Sequence, residues 1–221
     1  MCGLYGFQRR GGGPDPTLLR DLAALAGQRG PHAHGHAARG VRRVALGPVD
    51  PARLSTGVDS LIGHTRLATA GRHDDLAQAQ PLQAGALFVA HNGTVPAAAF
   101  HALRLGLSPA TGSDSEVLAL ALARAATLSG VATTLDLLTP GVPLALLVLE
   151  AGGAVIAARR GHPLHVSRRP EGTYFCSLPF AGSQPLPDLT VTRFSAGLEE
   201  VQPLATAADL RQGQEGPAWT I

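Results

Sequence analysis

The chain has 221 residues, with 18 Lys and Arg against 16 Asp and Glu and a formal net charge of +2. So small an excess, with no basic run or arginine stripe, argues against a nucleic-acid surface, and no apolar stretch approaches the roughly 18 residues of a membrane helix. Hydrophobic residues make up 45% of the chain and aromatics only 4%, so aliphatic side chains and alanine must fill the core of one α/β-sized domain spanning 1–221.

The N-terminus shows no charged leader followed by an apolar segment, so the cytoplasm is the expected compartment. Residues 2–7 read as a short strand. Residues 15–28 read as a helix, with leucines at 18, 19, 22 and 25 near helical spacing. Residues 30–40, rich in Gly, His and Arg, are expected to form a loop. Residues 60–65 and 86–90 are short apolar runs with polar or glycine borders, the pattern of buried strands. The clearest helix is expected over 113–128, opened by a capping box of Ser113 and Glu116 and ended by Gly130. A second helix is expected over 131–138, stopping at Pro140. The runs 144–150, 154–160, 173–177 and 189–194 read as successive strands joined by Gly/Pro turns. Strands in two groups with helices between them predict packed sheets flanked by helices. Residues 207–221 carry little pattern and are expected to be loose.

Chemistry enters at position 2. Methionine before a small residue is usually trimmed, which would leave Cys2 carrying both a thiol and a free α-amine. The amine, with a pKa of about 7.7–8.0, can accept the thiol proton and later return it. That removes the handicap of a thiol which, at a pKa of about 8.5, is only a few per cent thiolate at neutral pH. Gly3 is expected to keep the approach to the sulfur open. Cys176, in a predicted strand, reads as a small buried hydrophobe. In a reducing compartment free thiols are the default for both.

Five segments in order resemble the glutaminase domain of the class II glutamine amidotransferases, a branch of the N-terminal nucleophile hydrolases. They are Cys2-Gly3 with its strand; Gln28-Arg29-Gly30-Pro31 followed by Gly35; GHTRLATAG at 63–71; Ala79-Gln80-Pro81-Leu82 leading to FVAHNG at 88–93; and GSDSE at 112–116. The resemblance implies an α+β fold, a four-layer αββα sandwich of two mostly antiparallel sheets between helices. It also implies attack by Cys2 on the side-chain amide of L-glutamine, with ammonia passed to a synthase or transferase. Only a short tail follows the glutaminase-sized region, so a separate subunit is the expected acceptor. A γ-glutamyl amide of a larger metabolite is an alternative substrate, and a glutamine-binding regulatory domain without turnover is the non-enzymatic alternative.

Each segment suits glutamine chemically. Arg66 can grip the α-carboxylate with a planar fork that lysine matches poorly, although an arginine after a strand also serves as an ordinary ion-pair partner. Thr69 can add a hydroxyl to the same carboxylate. The resemblance assigns Asp114 to the α-ammonium; alone, it is a first-turn aspartate favoured by the helix dipole. Asn92 and Gly93 suit an oxyanion hole, while Asn-Gly after a strand is otherwise a plain turn. Arg29, Gly30, His64, Gln80 and His91 are expected to support the site from behind, with neither histidine acting as the base. His32, His34 and His36 alternate without zinc spacing and are read as solvated or supporting residues, so no metal or cofactor is expected. Two departures, Leu67 where many relatives carry an aromatic and Ala70 where some carry histidine, bear on substrate stringency.

Overall fold

A computed structural model describes residues 2–67, 74–206 and 209. The first strand sets the architecture: β1 (Gly3–Arg9) is buried from Gly3 through Gln8, so both of its faces must be covered. After it come α1 (Pro16–Gly27), β2 (Ala33–Ala38), β3 (Val41–Leu46), β4 (Ser60–Arg66), β5 (Leu82–Ala84) and β6 (Leu87–Asn92). Three helices follow, α2 (Ala98–Leu105), α3 (Asp114–Leu122) and α4 (Leu128–Leu138). The strands β7 (Leu144–Leu149), β8 (Val155–Arg160), β9 (His165–Arg168), β10 (Gly172–Cys176), β11 (Gln184–Pro185), β12 (Thr190–Ser195) and β13 (Leu198–Pro203) complete the order.

The strands form two sheets, ordered β11-β9-β10-β1-β4-β2-β3 and β13-β12-β8-β7-β6-β5, and the named strands pair antiparallel throughout. One face of β1 and β4 presents Tyr5, Phe7 and Leu61 to Leu19, Leu22 and Ala26 of α1. The opposite face presents Leu4 and Ile62 to Phe88, Ala90, Ala145 and Leu147 of the second sheet. The second sheet's outer face packs Val89, Leu146 and Val148 against Leu118, Leu122 and Leu135 of α3 and α4. This is the four-layer αββα sandwich, with alternate residues of each strand serving different layers. Phe175 of β10 meets Phe194 of β12 edge to face at 5.0 Å between the sheets, worth about 0.5–1.5 kcal/mol beyond its area burial.

Local chemistry fixes the ends. Asp15 caps α1 by accepting from the Thr17 and Leu18 amides, with Pro16 at the first helical position. Three expectations need correction. Residues 33–38, expected as loop, form β2, whose small inward residues Ala33, Gly35 and Ala37 alternate with half-buried His34, His36 and Ala38. No side chain of Ser113 caps α3, so the expected capping box does not form. Glu116 instead accepts from the amides of Ala110 and Thr111 at 2.8 and 2.7 Å and from the Thr111 hydroxyl at 2.6 Å, closing the preceding turn. Nor does Gly130 end that helix: it lies in the first turn of α4, where its amide donates to the N-cap Thr127 at 3.0 Å. The tail expected to be loose falls almost wholly outside the described residues, as does Met1.

Candidate active site

Register brings the chemistry to one end of the sandwich. Gly3 lies opposite Thr65, so β1 starts where β4 ends, and Cys2 neighbours Arg66 and Leu67. The Leu67 amide donates to Cys2 Sγ at 3.3 Å, and the sulfur lies 3.6 Å from Leu67 O, so the end of β4 fixes where the sulfur sits. Arg29 lies close enough to Cys2 and Cys176 to be stabilised by either as an anion, although burial draws its own pKa down first. Cys176 faces α1, and burial pushes its thiol up to about 11. The half-buried Cys2 is therefore the exposed sulfur of the pair. A side chain on Gly30 would collide with the β4 backbone, its Cβ 2.5 Å from Thr65 O and Arg66 C. Gly3 has the same role: its Cβ would lie 2.2 Å from Ala26 O. It lets α1 approach the strand, which differs from the expected role of clearing a path to sulfur.

Asn92 ends β6 on the face toward the other sheet. Its Nδ2 donates to Cys2 O at 2.9 Å and makes a longer 3.4 Å contact to Ser177 Oγ. The amide group carries two hydrogens, and the one with the longer contact is available to an incoming oxyanion. Gly93 follows with φ +144; a Cβ there would lie 2.8 Å from His91 Nε2 and 2.9 Å from Pro143 O. Only glycine suits this backbone and this space. Ser177 was not anticipated from sequence. It is fully buried, accepts from the Leu4 amide at 2.9 Å, donates its own amide to Leu4 O at 2.9 Å, and accepts from Arg29 through its carbonyl at 3.4 Å. It thus ties the start of β1 to Asn92 and Arg29.

The head-group candidates flank this pair. Arg66 is buried, and its guanidinium donates to Asp75 O and Gln78 Oε1, each at 3.4 Å. Asp114 sits at the start of α3, accepting from the Val95 amide and the Ser115 amide, each at 2.8 Å. Gln80 precedes a cis proline; its side-chain Oε1 accepts from the His91 amide at 2.6 Å and its Nε2 donates to Ser115 Oγ at 3.1 Å. Thr69, expected on the carboxylate, lies outside the described residues.

Neither histidine of the motifs is equipped as a base. Burial above all, then His91 and Arg66, press His64 down to about 3 against a partial pull from Asn92. Burial likewise presses His91 down to about 4, opposed by Asp114 and reinforced by His162. Both rings are neutral at physiological pH. His34 and His36 lie half-buried on β2, with His34 Nδ1 3.1 Å from Gly47 O, and among the described residues no group of three His, Cys, Asp or Glu is placed to hold a metal. No helix among them is long and apolar enough to cross a membrane. A cleft of about 380 Å³ between Ser60, Phe88, Leu149 and Glu150 lies at the other end of the sheets.

No family model matches the chain. It is 31% identical over 188 residues to the glutamine–fructose-6-phosphate aminotransferase (isomerizing) of Caulobacter vibrioides, covering 75% of this chain and 30% of that one. Among solved structures it superposes on glutamine phosphoribosylpyrophosphate amidotransferase from B. subtilis with a TM-score of 0.72 at 20% identity, over 92% of this chain and 49% of that one. A glutamine aminotransferase class-II domain protein from Silicibacter pomeroyi gives a TM-score of 0.62 at 15% identity, over 92% of this chain and 100% of that one. At these identities the solved structures establish a shared fold. The chain spans 30% of the curated relative and 49% of the B. subtilis enzyme.

Proposed function

This chain belongs to the class II glutamine amidotransferases, a family of N-terminal nucleophile hydrolases, and on that premise we propose that it releases ammonia from L-glutamine through a thioester on Cys2. The observation that carries the reading is the convergence on Cys2 from both sheets: the Leu67 amide on Sγ at 3.3 Å and the Asn92 amide on the residue's carbonyl at 2.9 Å.

The steps follow from the groups present. Removal of Met1 frees the α-amine of Cys2, which takes the thiol proton. Sulfur attacks the glutamine Cδ, the carbonyl π pair moves to oxygen, and Asn92 Nδ2 with the Gly93 amide receives the oxyanion. Collapse breaks the C–N bond, and the α-ammonium returns its proton to the leaving ammonia. Water, deprotonated by the same amine, then attacks the thioester; the C–S bond breaks, and glutamate and the thiol are released. Arg66 and Asp114 hold the α-carboxylate and α-ammonium so that only the amide reaches the sulfur. Arg29, Gly30, His64, Gln80 and His91 hold these groups in place, with His64 and His91 neutral throughout. The freed ammonia serves an acceptor enzyme on another chain.

Intact-mass spectrometry before and after treatment with 6-diazo-5-oxo-L-norleucine, a glutamine-like electrophile, tests the core of this reading. The expected result is a chain lacking Met1 that takes one adduct, with labelling lost in Cys2→Ser. Retained methionine and no adduct would remove the mechanism. Parallel assays of glutamine and larger γ-glutamyl amides test the substrate, and affinity capture of a synthase that raises glutaminase turnover tests the acceptor.

A further inference from the structure

Ser115 stands where two motifs meet, and a count of protons around its hydroxyl decides which way the hydrogen bonds run. Gln80 Nε2, a donor only, lies 3.1 Å from Ser115 Oγ. Asp114 Oδ1, an acceptor only when ionised, lies 3.4 Å away, with the Ser115 amide on the same oxygen at 2.8 Å. The third neighbour is His91 Nδ1 at 3.3 Å. A hydroxyl has one proton to give and two lone pairs to fill. Its proton goes to Asp114, one lone pair takes Gln80, and the other takes a proton from His91. In the wiring that satisfies all three neighbours, the imidazole, buried and neutral, carries its proton on Nδ1. Its bare Nε2, buried without a hydrogen-bond partner, faces the backbone of Gly93, where a Cβ would come within 2.8 Å of it.

We propose that Ser115 is a positioning residue that couples occupancy of Asp114 to the geometry of Gly93, through the chain Asp114–Ser115–His91–Gly93. The proposal rests on the assignment of Asp114 to the substrate ammonium. An arriving ammonium competes for the carboxylate and draws Asp114 Oδ1 away from its 3.4 Å contact with the Ser115 hydroxyl. The freed hydroxyl rebalances its contacts with Gln80 and His91, whose main chain is itself pinned to Gln80 Oε1 at 2.6 Å. The imidazole edge abuts Gly93, so the adjustment is felt at the oxyanion donor. Recognition of the amino-acid head group thereby sets the site that accepts charge from the amide.

Histidine-selective ¹⁵N NMR on the full chain carrying Cys2→Ala, which cannot turn substrate over, tests this, with His91 assigned from the signal lost in His91→Gln. The expected spectrum has Nδ1 protonated and Nε2 bare, and saturating glutamine shifts both. Adding Ser115→Ala abolishes the glutamine-induced shift, while Ser115→Thr, which keeps a hydroxyl, retains it. In the protein with intact Cys2, Ser115→Ala lowers kcat for glutamine about tenfold, the equivalent of one hydrogen bond. With glutaramate, which lacks the ammonium, parent and variant turn over alike. An Nε2-protonated ring, or an undiminished response of His91 in Ser115→Ala, overturns the proposal. Failure of glutamine to bind the Cys2→Ala chain overturns the functional reading instead, and the tautomer still decides how Ser115 is wired.

Discussion

Replacing Asn92 with alanine separates binding from chemistry. The side chain contributes Nδ2, bonded to Cys2 O at 2.9 Å and in longer contact with Ser177 Oγ at 3.4 Å. Removing an oxyanion donor typically costs about 3–4 kcal/mol of barrier, or 10²–10³ in kcat. The lost bond to Cys2 O costs a further ~1 kcal/mol of folding stability. Arg66 and Asp114 stand on β4 and α3 and keep their own contacts, so KM should stay within a few-fold of the parent. Steady-state glutamate release over a glutamine titration, with a denaturant melt on the same sample, reads both quantities. A kcat within tenfold of the parent, or a loss carried by KM, would refute the assignment of Asn92 to the oxyanion.

Gly93→Ala should reduce kcat by at least about 10² and destabilise the fold by roughly 1–3 kcal/mol, because its Cβ meets Pro143 O and His91 Nε2; parallel kinetics and melts check this. Acid should weaken the fold early. His64 and His91 stay neutral in the folded protein down to about 3 and about 4, while in the unfolded chain they protonate near 6.5. The unfolded state thus holds more protons between those values, so the stability is complete above about pH 6.5 and is lost as pH falls toward 4. From pH 7.5 to 5.5 each ring accounts for about 1.4 kcal/mol, about 3 together; urea titrations at the two values should register that drop, and a change below about 1 kcal/mol would contradict it. Asp136→Ala leaves the Arg160 guanidinium, 2.6 Å from that carboxylate and only 6% exposed, without the anion that pairs with it directly. A loss of about 3–5 kcal/mol is expected, with kcat/KM of the folded fraction unchanged.

The sequence announces this fold wherever burial is one-sided or complete. The apolar runs at 144–150 and 154–160 appear as β7 and β8 within a residue, because a strand covered on both faces has nothing polar to blur it. β2 was hidden because its inward residues are alanine and glycine, which carry little hydrophobic signal. The edge strands β3 and β13 expose most of their residues, and α2 buries only Ala102, so none of the three shows a periodic apolar face. At the candidate site, the motifs single out Cys2, Arg66, Asn92, Gly93 and Asp114 as individual residues. Ser177 becomes visible only when β10 pairs with β1 and delivers it beside Asn92. Spacing along the chain carries no trace of a meeting between positions 85 residues apart.

The pairing of β1 has a consequence for how the protein is made. Its two neighbours are β4, ending at residue 66, and β10, ending at residue 176. During synthesis the opening strand therefore waits unfenced on one flank until the chain has been made as far as Cys176. Closure of the first sheet around its opening strand is thus ordered in time by topology alone.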